Sequence, residues 1–173
     1  MTEPAADAWR EQVDSAARAA SRIAVLGIGS DLRGDDAAGV LCLRELGKVW
    51  GLSREAMTEN DRAIFLLDGG DTPESQTGLL RTFRPDLVIL IDAARGGGQP
   101  GNIFRVDPDR ISDEEVSTHR ISLSMLVRYL EASLATRVLF LGIEPVTLEW
   151  NRPISPLVRT SVRLLAEILA KIL

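Results

Sequence analysis

The stretch "IAVLGIGSDLRGDDAAGV", Ile23 to Val40, decides the fold. Its first four residues are a continuous apolar run, the mark of a strand buried on both faces. The run ends on Gly27, and from Ala37 to Val49 apolar residues recur at helical spacing, at Val40, Leu41, Leu43 and Leu46. A strand passing through a glycine-rich turn into a helix is the opening unit of a parallel, helix-covered sheet. Such turns often cradle phosphate, which wants amide donors and cations. This one carries Asp31, Asp35 and Asp36, with Arg33 as its one basic residue. The dinucleotide fingerprint is also incomplete, because Gly34 comes too late to serve as its third glycine. A nucleotide-binding α/β protein is therefore the weaker reading of this loop.

Working outward, "AIFLLD" (Ala63–Asp68) and "LVILID" (Leu87–Asp92) are two more buried strands. Between them "TPESQTGLLRTF" is helix-like, with Pro73 suited to a first turn. "NIFRV" (Asn102–Val106) is short and more polar, which suits an edge strand. "SLSMLVRYLEASL" (Ser122–Leu134) is an amphipathic helix, "RVLFLGI" (Arg137–Ile143) a fifth strand, and Pro156 to Leu173 a closing helix. The alternation predicts a single α/β domain of three layers, in which a mostly parallel, twisted five-stranded sheet is sandwiched between helices. "AADAWREQVDSAARAA" adds a leading helix, so residues 1–21 read as an N-terminal helical extension and 22–173 as the domain.

Bulk composition narrows the function. In 173 residues, 20 basic against 25 acidic side chains leave a net charge of −5, which argues against an electrostatic hold on nucleic acid. No segment approaches the roughly 20 apolar residues of a membrane span. The N-terminus has no apolar signal core, and the single cysteine, Cys42, cannot form an internal disulfide. These features fit a cytoplasmic protein.

In open α/β sheets, sites form outside the carboxyl ends of the strands. Three strands here lead towards acid: the first into the Asp31–Asp36 loop, the second onto Asp68, the third onto Asp92. Carboxylates sharing one rim repel unless protonation or a cation relieves them, and a divalent ion is the simplest relief. His119, the only histidine, lies in a polar connection ahead of the Ser122 helix. Carboxylates with one imidazole suit a borderline ion such as nickel or zinc and leave coordination positions open. Each residue has a plainer reading as well. One of Asp35 and Asp36 can cap the following helix, and Asp35 is assigned that role here. Asp68 and Asp92 can be turn formers, and a loop histidine can simply be solvated. Cys42, in "GVLCLREL", reads as a packed apolar residue.

The ordered blocks "VLGIGSDLRGDDAAGV", "LLDGGDTPES", "LVILIDAA", "QPGNIFRVDPD", "STHRISLSML" and "VLFLGIEPVTLEWNRPISPLV" resemble the nickel–iron hydrogenase maturation endopeptidases. The likeness runs from about Arg22 to the C-terminus and looks closest to the branch that processes the large subunit of hydrogenase 3. It implies a metal-contacting, catalytic set of Asp36, Asp92 and His119; Asp68, at the end of the second strand, is a further candidate as a base or supporting residue. It implies nickel supplied largely by the substrate, which is a hydrogenase large-subunit precursor that loses a short C-terminal extension. A monomer is expected, and the charge and composition argue against a nucleic-acid or membrane partner. A precursor-binding member that no longer cuts is the alternative within the family. Two positions depart from the family pattern: Ser30 stands where asparagine is usual, and Glu144 where glutamine is usual.

Overall fold

In a computed structural model of the protein, residues 8–51, 62–109 and 122–173 are described, together with the backbone of 55–57 and 110. Helices are α1 (Ala8–Arg18), α2 (Ala38–Trp50), α3 (Thr77–Phe83), α4 (Leu123–Leu134) and α5 (Pro156–Ile172). Strands are β1 (Arg22–Ile28), β2 (Glu55–Met57), β3 (Ala63–Gly70), β4 (Leu87–Ala93), β5 (Ile103–Arg105) and β6 (Arg137–Ile143). They form one sheet in the order β2-β3-β1-β4-β6-β5. The central four are parallel, and the two short outer strands are antiparallel to their neighbours.

All five expected strands are present, and a sixth, β2, joins them at the outer edge. It spans three residues, too few to leave a period in the sequence. The expected edge position of "NIFRV" is borne out by β5.

Period-two alternation sorts the strand side chains into two cores. Ile23 and Val25 of β1, Ile64 and Leu66 of β3, and Ile89 and Ile91 of β4 face α1, α2 and α5. Ala24, Leu26, Leu67, Val88 and Leu90 face α3 and α4 on the other side. Runs such as "IAVL" are apolar at every position because both faces are covered, as the sequence reading required. Helix α1 belongs to the first core: its Trp9, Val13 and Ala17 are buried there, near α5.

Helix boundaries follow local chemistry. Ser122 caps α4 by accepting from the Met125 N–H at 3.2 Å. Gly51, in the left-handed region at φ 66°, ends α2. Pro73 opens a 3-10 turn, Pro73–Gln76, which leads into α3.

Candidate active site

The glycine-rich loop serves close packing. Gly39, in the first turn of α2, lies so near the Ile28 backbone and the Ile91 carbonyl that a Cβ there would overlap both. Gly29 has φ +123° and abuts the Asp36 carbonyl, which again leaves no room for a Cβ. Between them, a 3-10 turn from Gly34 to Ala37 lies against β4. Asp36 therefore sits three residues before the glycine that touches Ile91, and Asp92 is the next residue of β4. Two carboxylates far apart in sequence are gathered at the carboxyl ends of β1 and β4. Gly39→Ala is expected to cost about 1–3 kcal/mol or more, as overpacking of a filled core does. Urea denaturation checks this, and an unchanged midpoint would mean that α2 has slack to move.

Each carboxylate is oriented by the backbone. Asp36 accepts the Ser30 N–H on Oδ2 at 2.9 Å, so Ser30 contributes its backbone amide. Asp92 accepts the Ala93 N–H on Oδ1 at 2.8 Å and is 9% exposed. Strand alternation puts Asp92 in phase with Leu90, on the α3/α4 face of the sheet.

Asp68 does not join them. It is in phase with Leu66, on the opposite face, and its side chain is 53% exposed. Its Oδ1 accepts the Gly70 N–H at 3.0 Å, and Oδ2 lies 3.8 Å from Arg44 of α2. Arg44 also pairs with Asp31 at 2.8 Å. Asp31 and Asp68 thus flank one surface arginine, and the expectation that Asp68 serves as a base is corrected by the parity of its strand.

Asp35 is not the helix cap expected of it. Neither the 3-10 turn nor α2 receives a side-chain cap. Asp35 is instead wholly buried and reaches the loop between β6 and α5. Its Oδ2 accepts from the Val146 N–H at 2.8 Å, the Thr147 N–H at 3.0 Å and the Ser155 hydroxyl at 2.9 Å. Its Oδ1 accepts from the Ser155 N–H at 2.6 Å. Backbone bonds from Gly34 N–H to the Arg152 carbonyl and from Asn151 N–H to the Leu32 carbonyl complete the lacing. No local sequence signal could have found this role, since the donors lie more than a hundred residues away.

Glu144 follows β6 and is 6% exposed. Its Oε2 accepts the Gly96 N–H at 2.7 Å and the Gly98 N–H at 3.2 Å. It pins the "RGGGQPG" connection just beyond Asp92, so that segment is tied at its start.

His119 lies outside the described residues. Among the described residues no group of three or more His, Cys, Asp or Glu side chains could hold a metal ion. Two carboxylates alone would be a hard, incomplete donor set. An added imidazole is the kind of donor that would suit nickel. Cys42 is buried, and desolvation, followed by the nearby Glu45 charge, pushes its thiol far up, so it supplies no nucleophile.

The sequence model of the HycI hydrogenase maturation proteases matches residues 52–172. The hydrogenase 3 maturation protease of Escherichia coli is 29% identical over 139 residues, which are 80% of this chain and 82% of that protein. The crystal structure of the NiFe hydrogenase maturation protease HycI from Thermococcus kodakarensis superposes with a TM-score of 0.79 at 32% identity, covering 93% of this chain and 97% of that one. The Escherichia coli hydrogenase-maturating endopeptidase HybD shares the fold, with a TM-score of 0.65 at 24% identity over 86% and 89% of the two chains. Together with the ordered motifs, these matches show that the chain belongs to the hydrogenase maturation protease family and is a peptide hydrolase.

Proposed function

We propose that this protease removes a short C-terminal extension from the nickel-loaded precursor of a nickel–iron hydrogenase large subunit, and that Asp36, Asp92 and His119 engage the nickel the precursor carries. The observation that carries the proposal is the Gly39–Ile91 contact, which seats Asp36 beside the strand that ends on Asp92. His119 is tethered three residues ahead of Ser122, the cap of α4. Helix α4 leads through a two-residue connection into β6, which parallels β4, so Ser122 starts that helix at the carboxyl rim. The helix packs on the face that Asp92 shares. These features favour one site made of two carboxylates and an imidazole.

The inventory of side chains favours water as the nucleophile. Cys42 is sealed in the core, and no His-Glu-x-x-His helix is present in the sequence. Water oxygen bonds to the scissile carbonyl carbon, the C–N bond breaks, and the departing amine takes a proton. Within the chain, Asp36 and Asp92 are the groups able to accept the proton from that water beside the substrate's nickel. Bound nickel supplies a polarising charge near the bond to be cut. The enzyme itself then needs only an incomplete cage, because its metal arrives with the client.

The same reading has the protein acting as a monomer in the cytoplasm, with residues 22–173 as the hydrogenase-maturation-protease-like domain and α1 packed into its core. No helix among the described residues is long and apolar enough to cross a membrane.

The test is to mix the purified protein with nickel-loaded and nickel-free precursor and to follow the precursor mass. A loss of C-terminal mass is expected only in the loaded sample. Equal cleavage of both would remove nickel recognition from the proposal. Binding with no cleavage would favour a member that holds precursor without cutting it.

A further inference from the structure

The loop that carries Asp36 also carries a guanidinium, that of Arg33, which meets no acid among the described residues. Arg33 lies with its guanidinium carbon 5.4 Å from the Trp150 ring centroid. Its side chain makes no hydrogen bond or ion pair with any described residue, and its Nε is shielded from solvent without a partner. Around it, Leu32 is 59% exposed, Val146 50% and Trp150 63%. The ledge is rigidly joined to the candidate site: the Asp36 N–H donates to the Arg33 carbonyl, and Asp35 ties Val146 to the same loop.

We infer that Arg33, stacked on Trp150, binds a carboxylate of the substrate polypeptide, while Leu32 and Val146 receive apolar side chains beside it. This rests on the precursor-processing reading above. Stacking on an indole leaves the edge of a guanidinium free, and its planar fork matches a carboxylate with two parallel hydrogen bonds. Lysine would offer charge without the fork or the stack. Arg33 is three residues from Asp36, so a carboxylate held there fixes the substrate chain a short way from the bond being cut. The carboxylate is either the end of the precursor's extension or an acidic side chain within it.

The experiment uses a nickel-loaded hydrogenase large-subunit precursor bearing its extension, with wild type, Arg33→Gln and Arg33→Lys compared by titration calorimetry and by processing rate. Arg33→Gln is expected to raise Kd and KM about tenfold or more, as loss of a charge-assisted contact does, with kcat within about threefold of wild type. Arg33→Lys should recover part of the loss. Two altered precursors identify the source: one with an amidated C-terminus, the other with the extension's acidic side chains changed to amides. Whichever abolishes the difference between wild type and Arg33→Gln carries the carboxylate. The inference is overturned if Arg33→Gln binds and processes like wild type, or if neither altered precursor narrows the difference. Failure of wild type to cut the unaltered precursor would overturn the protease reading itself, and it shows without any variant.

Discussion

Asparagine in place of Asp36 or of Asp92 is expected to slow precursor processing by about 10²–10⁴-fold, the range supplied by a positioned acid–base group. The substitution is nearly isosteric. In Asp36→Asn the new amide oxygen can still accept the Ser30 N–H, and in Asp92→Asn it can still accept the Ala93 N–H. The loop geometry should therefore survive, with far-UV circular dichroism and melting unchanged. What disappears is the negative charge offered to the substrate's nickel and the base offered to water. Alanine in place of His119 should give a loss of the same order. Initial rates from intact-mass measurements on the precursor decide the matter. Rates within a few-fold of wild type for both aspartate variants would remove those residues from the chemistry, and a fully active His119→Ala protein would remove that residue alone.

The fold was legible because burial on both faces leaves unbroken apolar runs, and four such runs became the parallel centre of the sheet. β2 was not, since three residues at an edge carry no period. The acids were harder. They sit at or just beyond the carboxyl ends of strands, but which face Asp68 and Asp92 take depends on their phase within the strand. Counting from Leu66 and Leu90 separates Asp68 from Asp92, and that parity was open to inspection in the sequence. The split between Asp35 and Asp36 was not. The preference for aspartate before a helix predicts a cap, yet the Asp35 side chain meets stronger demand from donors in a distant loop. Glu144 is similar: its value lies in the Gly96 and Gly98 amides, which only the folded chain brings to it.

Those two buried acids share a principle that bears on how the site works. Neither needs a cation, because backbone N–H groups converge on each of them. Asp35 locks the β1–α2 loop to the β6–α5 loop, and Glu144 fixes the connection after β4. The catalytic pair proposed here is thus carried on loops held by carboxylates of the same type in a different role. Asp35 is a positioning residue for Asp36, and its effect on processing should follow its effect on the loop.

Alanine in place of Asp35 is accordingly expected to be the most destabilising single change at this end of the sheet. It would strip partners from the Val146, Thr147 and Ser155 amides and from the Ser155 hydroxyl. An unmet buried donor costs about 1–3 kcal/mol, and breaking a buried charged network costs about 3–5 kcal/mol. For a chain of this size each kcal/mol moves the melting point by roughly 2–4 °C, so a drop on the order of 10 °C is expected. Asp35→Asn should do little better. Its NH2 group must face a donor whichever way the amide turns, because both oxygens of Asp35 accept hydrogen bonds. Thermal and urea unfolding of the two variants measure this directly. If Asp35→Ala melted within about 2 °C of wild type, the four bonds would be geometrically present but energetically idle, and the loop carrying Asp36 and Arg33 would owe its position to the packing of Gly29 and Gly39 and to the backbone bonds that lace Leu32 and Gly34 to Asn151 and Arg152.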